Sequence, residues 1–163
     1  MASEYERILE ENARFTEAFD RSALTAAPLT GIAILACMDA RIDVEDALGL
    51  RVGDAHIVRN AGGFATQDVI RSLVVSQQLL GTREILVIAH TGCGLHGADE
   101  ALLRDRVQAS TRHATTMAFG AFPDLEAMVL DQVRILRGHP ALLEVPVHGL
   151  VYEVETGLLR ELE

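Results

Sequence analysis

The chain has 163 residues, of which 49% are hydrophobic, and its formal charge at pH 7 is −10. This length is that of one domain with a substantial core, and the acidic charge argues against nucleic acid and anionic membrane surfaces as partners, because both are bound through basic patches. The sequence has no apolar run long enough to span a bilayer, and its acidic N-terminus is unlike a signal peptide, so we expect a cytoplasmic protein.

The first predicted element is an amphipathic helix near the N-terminus. Ser3 and Glu6 form a capping-box pattern, and apolar residues recur behind them at helical spacing, namely Tyr5, Ile8, Leu9, Phe15 and Phe19. Such a helix packs its apolar side either on its own domain or on a partner subunit. We assign residues 1–27 to a helical arm and residues 30–163 to an α/β core, with Pro28 in the linker between them.

Strands and helices alternate after the arm. Apolar runs at 31–37, 55–59 and 85–90 predict strands, and a short helix is expected at 44–48. Thr66 is placed to cap a further helix, which Gly81 would end. This β-α-β succession predicts an α/β protein with a mainly parallel central sheet flanked by helices.

The C-terminal third predicts two more helices and one more strand. The helices are expected at 98–108 and 124–136, with a small, polar and mobile loop at 109–123 between them. Residues 147–154 alternate as a strand does and end at a Thr156-Gly157 turn.

Two cysteines and a histidine stand at the ends of two predicted parallel strands. Cys37 ends the first run, His90 ends the run at 85–90, and Cys93 follows three residues later. The carboxyl ends of parallel strands meet at one edge of the sheet, where α/β proteins bind ligands. Two thiolates and one imidazole suit Zn²⁺, and a set of three protein ligands leaves one position for water or substrate. The pattern therefore predicts a catalytic rather than a structural zinc site.

Two alternatives to a metal site remain open for the cysteines. Each one taken alone is typical of an inert core residue, because free cysteine is among the most buried residue types. A disulfide between Cys37 and Cys93 is the second alternative, and it suits a cytoplasmic protein poorly. The polar residues that follow Cys37 favour the metal site over both alternatives.

An aspartate and an arginine follow the first cysteine at alternate positions. Cys37, Asp39 and Arg41 are expected on one side of the strand end, because residues two apart in a strand point the same way. The Asp39 carboxylate can then ligate the metal or accept a hydrogen bond from a metal-bound water. Arg41 can hold that carboxylate by two parallel hydrogen bonds and keep it ionised. Without the metal the pair would be an ordinary surface ion pair of little energetic value.

Three motifs give the chain a recognisable resemblance. CMDAR at 37–41, RNAGG at 59–63 and HTGCG at 90–94, in this order and spacing, resemble the β-class carbonic anhydrases. The short length and the stretch DVIRSL at 68–73 are similar to the small, compact branch of that family. The resemblance is specific from about residue 30 to about residue 100 and looser after that.

The resemblance implies zinc-dependent, reversible hydration of carbon dioxide to bicarbonate and a proton by zinc-bound hydroxide. It makes Cys37, His90 and Cys93 the zinc ligands, and Asp39 with Arg41 the catalytic dyad. In some members of the family the aspartate moves onto the zinc as a fourth ligand, so Asp39 is expected to be a ligand or a catalytic residue according to the state of the site.

The resemblance also implies how the chain assembles. In the family the N-terminal helix packs on a partner subunit, and the expected assembly is a homodimer or a higher even homo-oligomer. The family further implies that the last strand lies at the edge of the sheet.

Two other functions stay open on the sequence. Hydrolases of carbonyl sulfide and carbon disulfide resemble the same family and use the same ligands, and their linear substrates are nearly isosteric with carbon dioxide. A non-catalytic zinc or redox-sensing protein is the third function considered, and it would not need Asp39 and Arg41.

Two features beside the motifs are ambiguous. The Gly62-Gly63 pair before a helix is compatible with an anion cradle made of backbone N–H groups or with a plain tight turn. His96 is compatible with a proton shuttle, although a surface histidine without a catalytic role is the preferred interpretation.

Overall fold

The computed structural model describes residues 3–163, and within that range it contains five α-helices and five strands. The helices are α1 (Glu4–Glu17), α2 (Val44–Leu48), α3 (Gln67–Leu80), α4 (Glu100–Thr111) and α5 (Leu125–Gly138). The strands are β1 (Ile32–Cys37), β2 (Ala55–Asn60), β3 (Glu84–His90), β4 (Val147–Tyr152) and β5 (Leu159–Leu162), and a 3₁₀ turn, Ala61–Gly63, follows β2 directly. No helix in the described range has the length and apolar character needed to cross a membrane.

The strands form one sheet in the order β2-β1-β3-β4-β5. The first four strands are parallel to their neighbours, and β5 pairs with β4 in the antiparallel direction. The predicted α/β fold with a mainly parallel sheet flanked by helices is therefore confirmed.

The strand that lies at the edge of the sheet is not the predicted one. The strand expected at 147–154 is β4, which lies between β3 and β5, so its predicted place at the edge was wrong. On that side of the sheet the edge strand is β5, whose sequence LREL does not alternate between apolar and polar residues as a half-buried strand does. The chain reverses between the two strands through Glu153 and Gly157, whose N–H donates to the Glu153 carbonyl at 2.8 Å.

The hydrophobic core lies between the sheet and the helices. β1 is buried from Ala33 to Cys37, which explains its unbroken apolar sequence, since strands covered on both faces do not alternate. Helix α5 packs closely on β4. There is no room for a side chain at Gly149, since a Cβ atom placed there would lie only 2.9 Å from a methyl group of Val129. The remaining buried apolar side chains of α3 are Val69, Ile70 and Leu73, and those of α5 are Met128, Val133 and Leu136.

Caps fix the ends of the helices that follow the strands. The Thr66 hydroxyl accepts the N–H of Val69 at 3.4 Å, and Gly81 ends α3 in the left-handed conformation with φ of 81°, both as predicted. Asp99 and Asp124 cap α4 and α5 in the same way as Thr66 caps α3. The starts of α3, α4 and α5 are therefore each fixed by a side-chain cap.

The N-terminal helix α1 stands apart from this core. Its capping box is present as predicted, with Ser3 and Glu6 each bonding the other's backbone N–H. None of the described residues of α1 is buried, and the apolar side chains of Tyr5 and Leu9 are 69% and 52% exposed. The helix therefore leaves its apolar side free of its own domain.

Parallel register brings the ends of β1 and β3 side by side. Cys37 is paired with Asn60 of β2, and Ala36 is paired with Ile88 of β3. Because both strands run in the same direction, Cys37 and His90 emerge at the same edge of the sheet, as the sequence predicts.

Candidate metal centre

Three soft donor atoms meet at this edge of the sheet. The ligand atoms of Cys37, His90 and Cys93 all lie within 4.8 Å of one another, and all three residues are buried. Cys37 and His90 are the last residues of β1 and β3, and Cys93 lies on the turn that follows β3. The two cysteines are free thiols, so the disulfide considered above is not formed.

His90 is oriented as a metal ligand. Its Nδ1 lies 2.9 Å from the Thr91 carbonyl, which can only accept a hydrogen bond, so Nδ1 carries the proton in the neutral ring. The Nε2 atom is buried, has no hydrogen-bond partner and faces the two sulfur atoms. Burial also lowers the pKa of His90, which favours the neutral imidazole. A buried nitrogen lone pair with no partner fits a metal ion at this point.

The surroundings of Cys93 favour its neutral thiol. Burial raises its pKa, and the nearness of Cys37 raises it further, since two thiolates side by side repel each other. A divalent cation at the centre of the three donors reverses that effect because it stabilises coordinated thiolates. The donor set of two thiolates and one imidazole is typical of zinc.

Asp39 and Arg41 form the pair that the sequence predicts. Arg41 donates from Nε to Asp39 Oδ1 at 2.9 Å and from Nη2 to Oδ2 at 2.8 Å. The backbone N–H of Arg41 adds a third bond to Oδ1, at 3.0 Å. The hydrogen bond from the Arg41 guanidinium holds the pKa of Asp39 well below its usual range, so the carboxylate is ionised.

The Asp39 carboxylate lies beside the three donors without joining them. Its Oδ2 atom is 3.7 Å from His90 Nε2, while both oxygens remain bonded to Arg41. Of the two positions that the sequence leaves open for this side chain, this conformation has the carboxylate on the arginine.

Arg59 is a functional residue that the sequence reasoning left without a role. Its Nε donates to the Cys37 carbonyl at 2.9 Å, and its Nη2 donates to the Asp39 carbonyl at 2.6 Å. One guanidinium therefore fixes the backbone on both sides of Met38. Its place in the RNAGG motif was a sequence signal that Arg59 has a role. Only the parallel pairing of β2 with β1 shows which carbonyls the arginine reaches.

A cavity of about 500 Å³ opens onto the donors. Most of its wall is apolar or backbone, and the lining residues are Cys37, Met38, Asp39, Ala40, Ala61, Gly62, Cys93, Gly94 and Leu95. An apolar cavity with a few polar groups at one end suits a small uncharged molecule.

The Gly62-Gly63 pair is explained by close packing. Both residues have positive φ, and a Cβ atom on Gly63 would lie 3.3 Å from the Cys37 nitrogen. A Cβ atom on Gly62 would lie 2.3 Å from the ring of Phe64. Of the two interpretations, the structure therefore supports the tight turn that seats this segment against β1.

His96 lies at the surface, as preferred above. Its ring stacks on Phe122 with centroids 5.4 Å apart, and its Nε2 is 3.2 Å from the Pro123 carbonyl. These contacts account for its position without a role in proton transfer.

Comparisons with known proteins agree with this geometry. The family model for carbonic anhydrases matches residues 32–159. Beta-carbonic anhydrase 1 of Mycobacterium tuberculosis is 39% identical over 154 residues, which cover 94% of each chain. A carbon disulfide hydrolase of Saccharolobus solfataricus is 40% identical over 153 residues, covering 78% of this chain and 75% of the relative.

A solved structure of a related protein agrees with these sequence comparisons. The crystal structure of the carbonic anhydrase from Streptococcus mutans superposes with a TM-score of 0.94 at 37% identity, covering 100% of this chain and 99% of that chain. The family match, the curated relatives and the Cys-His-Cys cluster point to one conclusion: the chain belongs to the β-carbonic anhydrase family.

Proposed function

We propose that the protein catalyses the reversible hydration of carbon dioxide to bicarbonate and a proton, with zinc as its cofactor. The observation that carries this proposal is the ionised Asp39 carboxylate, held by Arg41 at 3.7 Å from the free nitrogen of His90. A structural zinc site takes four protein ligands and needs no ionised carboxylate beside it. The three donors and the adjacent carboxylate therefore favour turnover over a structural or redox-sensing role.

Cys37, His90 and Cys93 would hold the zinc through their two sulfur atoms and the imidazole Nε2. Zinc held there supplies the Lewis acidity that lowers the pKa of water towards neutrality. The hydrogen bond from His90 Nδ1 to the Thr91 carbonyl keeps the ring in the tautomer that this role requires. Met38 and Leu95 in the cavity wall offer apolar contacts to a linear, uncharged substrate.

Asp39 acts as a hydrogen-bond acceptor beside the metal. Because its carboxylate is ionised, it can accept a hydrogen bond from the attacking water and can donate none, which directs the water's lone pair towards the substrate. Arg41 fixes the carboxylate through two bonds and anchors itself on the Gly92 carbonyl at 3.0 Å. In a closed form of the site, Asp39 would leave Arg41 and become the fourth ligand.

The exposed side of α1 supports a homodimer or a higher even homo-oligomer. We assign residues 1–27 to the arm and residues 30–163 to the core, and α1 buries none of its residues in that core. Each apolar side chain such as Ile8 or Phe15 gains about 1.5–3 kcal/mol when it is fully buried, so a partner subunit that covers α1 is strongly favoured. We also place the protein in the cytoplasm, since its free thiols need a reducing compartment.

Hydrolysis of carbon disulfide or carbonyl sulfide is the second candidate function. The supporting observation is the carbon disulfide hydrolase of Saccharolobus solfataricus, which is as similar in sequence as the mycobacterial carbonic anhydrase, although it covers less of the chain. All three substrates are linear triatomic molecules, so the Cys-His-Cys donors and Asp39 would serve each of them.

Parallel assays on one zinc-loaded sample separate the two candidates. Stopped-flow measurement of carbon dioxide hydration is compared with hydrogen sulfide release from carbon disulfide and from carbonyl sulfide. We expect fast hydration and little sulfide. Fast sulfide release with slow hydration would assign the second function instead, and a zinc-loaded protein inert in all three assays would contradict both.

A further inference from the structure

We propose that Glu100 is a positioning residue of the metal cavity, because its carboxylate anchors the loop that supports the cavity wall. The significance of the cavity rests on the function proposed above, whereas the anchor itself rests on contacts that involve no metal. Glu100 is the first residue of α4 and lies outside all three sequence motifs.

The anchor consists of three consecutive backbone N–H groups around one oxygen. Glu100 Oε1 accepts from Gly120 at 2.8 Å, from Ala121 at 3.0 Å and from Phe119 at 3.0 Å. Its second oxygen accepts from the Arg104 guanidinium at 3.1 Å. Bonds to an ionised acceptor are stronger than those between neutral groups, so this loop is fastened at one point by a single side chain.

The helix itself does not need this carboxylate. Asp99 already caps α4, since its Oδ1 accepts from Ala101 at 2.8 Å and from Leu102 at 3.2 Å. The Glu100 carboxylate therefore serves the loop rather than the helix start.

The anchored loop is bonded to the turn that carries Cys93. The N–H of Phe122 donates to the Leu95 carbonyl at 3.1 Å, and the N–H of Gly97 donates to the Phe122 carbonyl at 2.8 Å. Leu95 forms part of the cavity wall. The loop at 119–122 thus holds one side of the metal cavity through backbone bonds.

A second line of contacts reaches Gly62, which lines the cavity beside Leu95. Gly120 lies against the ring of Phe64, where an added Cβ atom would be 3.0 Å from the ring. The same ring packs edge-on against Phe122, with centroids 6.1 Å apart, and covers the Cα of Gly62 in the cavity wall. Releasing the loop therefore loosens the part of the cavity wall formed by Leu95 and Gly62, which weakens substrate binding more than it affects the chemistry at the donors.

Amide hydrogen exchange and steady-state kinetics on zinc-loaded variants test this proposal. Glu100→Ala removes the anchor, Glu100→Gln keeps an acceptor oxygen without the charge, and Asp105→Ala removes an acidic side chain elsewhere on α4 as a matched control. We expect Glu100→Ala to speed exchange at Phe119, Gly120 and Ala121, and also at Gly97. We also expect it to raise KM for carbon dioxide severalfold with kcat and zinc content retained.

The control variants separate positioning from a merely structural role. Glu100→Gln is expected to restore most of the protection and of KM, and Asp105→Ala is expected to behave as the wild type. Unchanged exchange at Gly97 in Glu100→Ala, or a fall in kcat together with zinc content, would overturn the proposal. If the wild-type protein fails to hydrate carbon dioxide, the proposed function fails, and exchange at Gly97 still decides whether the anchor reaches the metal turn.

Discussion

Arg41 donates two nearly parallel hydrogen bonds of 2.9 and 2.8 Å to the Asp39 carboxylate, beside the free nitrogen of His90. The same guanidinium donates to the Gly92 carbonyl, one residue before Cys93. Through Arg41 the carboxylate is therefore tied to the turn that carries a metal donor.

Asp39→Asn is expected to abolish most of the turnover and leave the zinc in place. The amide keeps the shape of the side chain but loses the charge, so it no longer serves as an acceptor-only group beside the metal. Loss of one preorganised hydrogen-bonding group at the reacting atoms lowers kcat about 10²–10³-fold. Hydration rate and zinc content are measured on the same sample, and an Asp39→Asn variant that turns over at the wild-type rate would assign Asp39 no part in the reaction.

Arg59→Ala is expected to weaken zinc binding, although Arg59 is not itself a metal ligand. The variant loses both bonds to the Cys37 and Asp39 carbonyls, which frees the backbone that carries one donor. Loss of a group that orients a ligand typically costs about 10–100-fold in metal affinity. Competition with a chromogenic chelator measures the zinc affinity, and Arg71→Ala is the matched control, because Arg71 is exposed and pairs with Asp68 on its own helix. Equal affinities in both variants would contradict this role.

Removal of zinc is expected to lower the thermal stability of the protein. The site brings two thiols and an unpaired imidazole nitrogen together in a buried place, so metal binds the folded state in preference to the unfolded chain. Ligand bound at about 100 times its Kd adds about 2.7 kcal/mol, which is readily visible as a shift in Tm. Calorimetry before and after chelation, and again after zinc is restored, measures this shift. A Tm that does not change would mean that the three residues bind no metal.

Charged substitutions on the apolar side of α1 are expected to dissociate the assembly. Ile8→Glu with Phe15→Glu places two carboxylates where a partner subunit would bury apolar side chains, while Glu10→Gln changes only the polar side of the same helix. Light scattering coupled to size-exclusion chromatography reports the mass of each variant. A monomeric wild type, or a double variant with the wild-type mass, would refute packing of α1 on a partner.

Acid is expected to release the loop that Glu100 anchors. Hydrogen bonds from the Ala121 and Phe119 amides lower the pKa of Glu100 below its ordinary value. A carboxylate whose pKa is lower in the folded than in the unfolded state contributes stability above the unfolded pKa, and that contribution is lost as the pH falls through the folded pKa. The Gly120 amide resonance should therefore titrate with a midpoint below that of an ordinary glutamate, and should not titrate in Glu100→Gln. A midpoint at or above the ordinary value would contradict the anchor.

The parts of the structure that depend on local pattern were predictable from the sequence. The buried run of β1 and the Thr66 cap follow from patterns within short segments, and the placement of Cys37 and His90 at one sheet edge follows from the β-α-β succession. The strand β5 was missed because its residues show no alternation and its pairing with β4 depends on the turn before it.

Individual hydrogen bonds between distant segments could not be predicted from the sequence. Arg59 reaches two carbonyls about twenty residues earlier only because β2 pairs with β1 in this register. Glu100 reaches the amides at 119–121 across a segment without regular structure, and no periodicity marks such a contact. The candidate metal ligands and the Asp39–Arg41 pair could therefore be identified from the sequence. The residues that hold them in place, such as Arg59, could be identified only from the structure.

Zinc-dependent hydration is tested most sharply by a zinc titration of the metal-free protein with carbon dioxide hydration followed at each step. We expect activity to rise in proportion to added zinc and to stop at one zinc ion per chain, and we expect His90→Ala and Cys93→Ala to gain no activity over the same range. Full zinc occupancy without hydration, or equal activity in the metal-free and zinc-loaded protein, would contradict the proposed function.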